Sequence, residues 1–165
     1  TALVRTLLDM SEMETIPRTE RVELVPMAEE ILQDLEPAAQ KRGITMTASG
    51  DVSPVTGSDI LLYRMLYNLV ENAIKYGKQG GAVAVTLEEN HGKTEIRVAD
   101  DGPGIPIEMQ EQVFEPFFRV DQSRSRASGG VGLGLALAQQ IAALHGGSLT
   151  VEKSDETGTV FLCRM

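Results

Sequence analysis

The sequence predicts an α+β fold: a two-layer sandwich in which one mixed, largely antiparallel sheet of about five strands is covered on one face by about three helices. Three observations predict it. Apolar residues recur at helical spacing in several separate segments, other segments alternate with period two in hairpin-like pairs, and Gly or Pro punctuates the chain between them. The 165 residues suffice for one domain with a short appendage, and 42% hydrophobic with 24% charged residues is ordinary for a globular chain. With 4% aromatics and no Trp, the core must be aliphatic.

Leu3, Val4, Leu7, Leu8 and Met10 recur at helical spacing without a capping pattern before them, so this stretch reads as the end of a longer helix. Residues 11–21 are polar and contain Pro17, which suits a linker. The division expected is residues 1–16 as helix end and linker, and 17–165 as the folded domain. A helix over about residues 26–42 is ended by Gly43. Strands follow at 44–48 and 54–57, and Ser58 offers an N-cap for a helix to about Tyr76. Residues 82–88 and 94–100 alternate as a hairpin around Asn90, His91 and Gly92. An irregular stretch, 102–130, holds a short helix at 107–114, and loops this long are usually functional or disordered. An apolar helix at 132–144 and strands at 148–151 and 159–163 around Thr157 and Gly158 complete the chain.

The formal net charge of -9, with no stripe of Lys and Arg, argues against nucleic acid and against direct contact with an anionic membrane. A phosphate-bearing ligand would have to be held by local features such as backbone N–H groups, a metal ion or a few placed cations. The single Cys163 excludes an internal disulfide and a Cys-rich metal site and fits a reducing compartment. No apolar run reaches spanning length and nothing resembles a signal peptide, so a soluble, cytoplasmic domain is expected.

Three constellations carry chemistry. On the helix after Ser58, a 100° period puts Leu62, Leu66, Leu69 and Ala73 on a buried face and Arg64, Asn68, Glu71, Asn72 and Lys75 on the other. Two amides at i and i+4 beside a cation can offer oxygens to Mg²⁺ and an ammonium to a phosphate, although a solvated helix face has the same appearance. Asp100 shares the core-pointing face of its strand with Ile96 and Val98, where a carboxylate demands a partner such as an exocyclic amine. Gly102 and Gly104 would let a flat base approach, and Asp-Gly and Pro-Gly are equally ordinary turn dipeptides. Gly129-Gly130-Val131-Gly132-Leu133-Gly134-Leu135 leads straight into an apolar helix and exposes its N–H groups as an anion site. The spacing is neither G-x-G-x-x-G nor a Walker-type G-x-x-x-x-G-K-[ST], which excludes both common nucleotide motifs.

In this order the segments resemble the catalytic domain of sensor histidine kinases, of the superfamily that also holds gyrase, heat-shock chaperones and mismatch-repair ATPases. Asn68-Leu69-Val70-Glu71-Asn72-Ala73-Ile74-Lys75-Tyr76 is similar to the N box, and Asp100-Asp101-Gly102-Pro103-Gly104 to the first glycine box. Phe114-Glu115-Pro116-Phe117-Phe118-Arg119 is similar to the F box, residues 130–135 to the second glycine box, and Gly158-Thr159 to a small closing motif. The similarity covers about residues 21–165 and implies the Bergerat-type ATP-binding fold. Its implied roles are Mg²⁺ ligation by Asn68 and Asn72, phosphate contact by Lys75, and flanking of the nucleotide by Tyr76. Asp100 would accept the adenine amine, with Gly102, Gly104, Ile105 and Thr159 around it. Gly130, Gly132, Leu133, Gly134 and Leu135 would cradle the phosphates of ATP and hinge a lid. Arg119, with Arg124 or Arg126, would neutralise the transferred phosphoryl group, and Glu71 stands as a substitute base.

The sequence also departs from the family pattern. Ser58 stands where many relatives carry Asp, and Pro116 where the F box is often basic. Neither His91 nor His145 has the context of a phosphoacceptor: His91 suits a solvated turn, and His145 a helix end where a cation complements the dipole. The resemblance therefore implies transfer of the γ-phosphoryl group to a histidine on a separate dimerisation domain, and from there to a response regulator receiver. The intact protein would be a homodimer, membrane-anchored in bacteria, and the isolated chain a monomer. Two other readings share the fold: a hydrolase, which has Glu where this chain has Asn68, and a non-catalytic or anti-sigma-type binding module.

Overall fold

The computed structural model describes residues 11–118 and 133–165. A 3₁₀ turn, Met13–Thr15, leads to β1 (Glu20–Val22), α1 (Leu24–Lys41), β2 (Thr45–Gly50), β3 (Val55–Gly57) and α2 (Asp59–Tyr76). The hairpin of β4 (Ala82–Asn90) and β5 (Lys93–Asp100) follows, then 3₁₀ turns at Ile107–Met109 and Gln112–Phe114, α3 (Gly134–Leu144), β6 (Ser148–Asp155) and β7 (Gly158–Arg164). Ser58 caps α2 as its position implies, its Oγ accepting from the Leu61 N–H at 3.3 Å. His91 and Gly92 form the two-residue hairpin turn, with φ of 53° and 77°, the positive pair that matches strand twist.

Five strands form a mixed sheet in the order β2-β4-β5-β7-β6, in which only the β2–β4 pair is parallel. The register aligns Val83 with Asp100, Val85 with Val98 and Leu87 with Ile96, then Ile96 with Cys163 and Val98 with Phe161. One sheet face is thus apolar, and it packs on Ile31 and Leu35 of α1, Leu62, Leu66 and Leu69 of α2, and Leu137 and Ile141 of α3. The core is mainly aliphatic as expected, with Phe114 edge-on to Phe161 at 6.0 Å as its aromatic pair. Cys163 belongs to this core, where burial pushes its thiol up to about 12. Among the described residues no helix is long and apolar enough to cross a membrane.

The structure differs from the sequence expectation at three places. Residues 20–22 are a strand, paired antiparallel with β3 in a second small sheet, where linker was expected. Three residues are too few for period two to show. Met13, also expected to precede the domain, is 1% exposed within the core, with Ile16 packed against it. The single short helix expected at 107–114 is two 3₁₀ turns, closed by Met109 N–H to Pro106 O at 2.8 Å and Glu115 N–H to Gln112 O at 2.9 Å. Ile107 at its start is 83% exposed, so no continuous apolar stripe holds a longer helix down.

His145 ends α3, and both ring nitrogens are engaged: Nδ1 lies 2.8 Å from the Ile141 carbonyl oxygen, and Nε2 accepts from the Ser58 N–H at 3.1 Å. The side chain thus keeps the helix-terminal structural role expected of it and, beyond that, ties α3 to the start of α2.

Candidate functional site

The site grows out of α2. Its buried face, with Leu62, Leu66, Leu69 and Ala73 at 1% exposure or less, docks the helix on the sheet and turns Asn68, Glu71, Asn72, Lys75 and Tyr76 to a half-exposed face. The Asn68 amide donates through Nδ2 to the Gly134 carbonyl at 3.4 Å, so the start of α3 lies beside the first of the paired amides. Leu133 precedes that helix and is buried, Gly134 is exposed, and among the described residues no side chain caps the end. The first N–H groups of a helix have no partner within it, so this end is a donor cluster with a partial positive charge. Leu135 packs partly against the core and orients it. Lys75 and Glu71 form an ion pair at 3.7 Å, each about a third exposed, so Glu71 faces a cation and is not held as a free base.

The C-terminal end of α2 abuts the end of β5. Asp100 lies on the core face as the alternation requires, opposite Val83 and Thr159, and its Oδ1 accepts from the Gly102 N–H at 2.9 Å. Burial raises the Asp100 pKa and neighbouring Asp101 adds to this, while the backbone N–H groups of Gly102 and Thr159 pull it back. Burial therefore opposes ionisation of this carboxyl group, and another donor would relieve that cost. Thr159 is buried, its Oγ1 2.8 Å from Ser154 Oγ, and that hydroxyl accepts from the Ile105 N–H at 2.7 Å. Ile105 is thereby tied to the β6–β7 hairpin.

A Cβ on Gly102 would stand 2.2 Å from the Tyr76 carbonyl oxygen, and one on Gly104, whose φ is +83°, 2.1 Å from the Asp155 carbonyl oxygen. The fold itself thus requires glycine at both positions, whatever else approaches them. The structure brings Asn68, Glu71, Asn72, Lys75, Tyr76, Asp100, Gly102 and the start of α3 together around α2. Arg119, Arg124, Arg126, Gly130 and Gly132 lie outside the described residues.

Three residues at the site escaped the sequence reading. Ser154 is the bridge just described, and its partner across the hairpin carries the only sequence hint. Asp101 accepts from the Ala82 N–H through Oδ2 at 3.0 Å, while its Oδ1 is buried with no partner among the described residues. Arg42 reaches from the end of α1 to the last carbonyls of α2, a contact between residues more than thirty positions apart that no local pattern announces.

Known proteins resemble this chain in sequence and in fold. Residues 57–165 match the family model described as histidine kinase-, DNA gyrase B- and HSP90-like ATPase. The sensor-like histidine kinase SenX3 of Mycolicibacterium smegmatis is 37% identical over 163 residues, covering 96% of this chain and 42% of that protein. The sensor histidine kinase RppB of Synechocystis is 45% identical over 118 residues, covering 72% of this chain and 26% of that one. The chain spans less than half the length of these relatives. Full-length ShkA in complex with AMPPNP superposes over 99% of this chain and 35% of its own with a TM-score of 0.82, and at 24% identity it shows the fold. The histidine kinase ThkA in complex with the response regulator protein TrrA is 26% identical, with a TM-score of 0.77 over 99% of this chain and 47% of that one. The chain belongs to the histidine kinase-, DNA gyrase B- and HSP90-like ATPase family, and within it stands with the ATP-binding domains of sensor histidine kinases.

Proposed function

We propose that this chain is the catalytic domain of a two-component sensor histidine kinase, which binds Mg-ATP and passes its γ-phosphoryl group to a histidine on a separate helical dimerisation domain, for onward transfer to a response regulator. The observation that carries the reading is Asp100: a carboxylate on the core face of the sheet, disfavoured by burial, beside a helix that presents two amides and a lysine. An adenine amine donated to Asp100 would direct the nucleotide's phosphates along α2 toward the start of α3.

The residues present fit a magnesium ion. Two amides one turn apart on the half-exposed face of α2 suit an ion that takes one or two protein oxygens and completes its shell with phosphate and water. Asn68 and Asn72 would supply those oxygens, and the ion would supply charge neutralisation on the phosphates. The Lys75 ammonium, paired with Glu71 and partly exposed, would exchange that partner for a phosphate oxygen. The same pairing argues against a hydrolase that uses Glu71 as base, and Asn68 itself is not basic.

The test is transfer in trans. The chain incubated with γ-labelled ATP is expected to remain unlabelled and to label a histidine-bearing dimerisation domain of a related kinase with acid-labile phosphate. Acid-stable label on serine, or label on the chain itself, would overturn the reading in favour of a serine kinase of the same fold.

A further inference from the structure

We infer that Arg42 is a positioning residue of the nucleotide site, acting through the last turn of α2; the inference rests on the nucleotide-binding reading above. The reason begins with how helices stop. The final carbonyls of a helix lack intrahelical donors, and most commonly a left-handed glycine turns the following N–H groups back onto them. α1 and α3 end in this way. Ile44 N–H reaches Ala39 O at 2.9 Å and Gly43 N–H reaches Gln40 O at 3.1 Å around a Gly43 φ of +65°. Gly147 N–H reaches Ala142 O at 2.9 Å and Gly146 N–H reaches Ala143 O at 3.0 Å around a Gly146 φ of +73°.

α2 does not end so. Gly77 is extended, with φ of -70° and ψ of 170°, and its N–H closes only on the Ala73 carbonyl. The guanidinium of Arg42 supplies the missing donors: Nη1 donates to the carbonyls of Ile74 and Lys75, and Nη2 to that of Gly77 at 3.0 Å. The backbone of Arg42 is itself fastened to the loop that leaves α2, since its carbonyl accepts from the Gly80 N–H at 2.8 Å and the Thr45 N–H donates to Gly81 O at 3.0 Å. One planar, permanently charged fork therefore holds three carbonyls at the negative end of the helix dipole.

The turn that it holds faces the site. Lys75 carries the candidate phosphate contact, the Tyr76 carbonyl fills the space that a Gly102 side chain would need, and a Cβ on Gly77 would stand 3.6 Å from the Asp100 Cβ. An extended exit through Gly77, which a left-handed cap would not give, lets the chain pass this close to Asp100. Arg42 makes that exit tenable. Without it, the turn frays and the spacing between Lys75 and the Asp100–Gly102 pair is lost, while the turns that carry Asn68 and Asn72 keep their own backbone bonds.

The experiment compares the parent chain with Arg42→Met and Arg42→Lys by calorimetric titration with ADP, with and without Mg²⁺, well below each melting temperature, alongside amide hydrogen exchange. Arg42→Met is expected to weaken Mg-ADP binding at least about tenfold, the equivalent of one lost charge-assisted hydrogen bond, with the ratio of affinities with and without Mg²⁺ unchanged. Exchange should accelerate at residues 75–78 and 102 while β6 and β7 keep the parent's protection, and Arg42→Lys should recover part of the affinity. Binding by Arg42→Met within twofold of the parent overturns the inference, as does faster exchange spread evenly over the chain, or a lysine variant no better than the methionine one. A parent chain that does not bind Mg-ADP at all overturns instead the nucleotide reading beneath it.

Discussion

Asp100 concentrates the conflict between stability and function in one side chain. Its carboxylate is partly withdrawn from water, and it accepts from Gly102, yet its pKa remains raised because burial outweighs these donors. A carboxyl group whose folded-state pKa exceeds its unfolded value binds protons more readily when folded, so its charge weakens the ligand-free fold at neutral pH. That weakening is relieved as the pH falls through the raised value toward the ordinary 3.9 or so. Asp100→Asn is thus expected to raise the melting temperature of the ligand-free chain at pH 7 and to weaken ATP binding by about 1 to 3 kcal/mol, since the amide offers the adenine amine a poorer acceptor. Scanning calorimetry and titration calorimetry read the two effects separately. An unchanged ATP affinity would remove the adenine contact, and an unchanged or lower melting temperature would remove the strain.

At the scale of elements, α2 carries most of the site and was the most legible in the sequence. Eighteen residues with a clear 100° period, a Ser cap and two amides one turn apart report both the buried face and the polar one. Asp100 was legible for the same kind of reason, since period two assigns its face before any pairing is known. What escaped was non-local or too short for a period: the three residues of β1, Arg42 closing α2 from another helix, and Ser154 joining Ile105 to Thr159. The 3₁₀ turns escaped because exposed Ile107 counts as apolar in a pattern that burial does not honour. The helix-scale expectation concerns the paired amides. Asn72 sits on the half-exposed face, so Asn72→Ala is expected to leave the melting temperature within a few degrees of the parent, as surface changes of about 0.5 kcal/mol or less do. It should also abolish the Mg²⁺ dependence of nucleotide affinity. Equal Mg²⁺ dependence in variant and parent, by titration at several Mg²⁺ concentrations, would show that the ion takes no oxygen from Asn72.

Taken whole, the molecule separates its two sheet faces by chemistry: the face under the helices is apolar, and the open one is an ionic lattice. Glu95 is 1% exposed because side chains lie over it, not because it is deep in the protein. Arg164 Nε donates to it at 2.8 Å, and Arg97 bridges it to Glu88 and, bidentately, to Glu152 at 2.8 and 2.9 Å. The arginine partners hold Glu95 and Glu152 below the usual carboxylate range. A lowered folded-state pKa contributes stability that is complete above the unfolded value of about 4.3 and is lost as the pH falls through the folded one. Asp100 acts with the opposite sign, but it is one group against this network, and a chain of net charge -9 becomes cationic as its other carboxylates titrate. The fold is therefore expected to lose stability below about pH 4.3, and Glu95→Gln should flatten that loss by removing the group with two arginine partners. Urea unfolding at pH 3.5, 5 and 7 checks this: variant and parent curves that stay parallel across the series would mean that Glu95 contributes nothing to acid sensitivity.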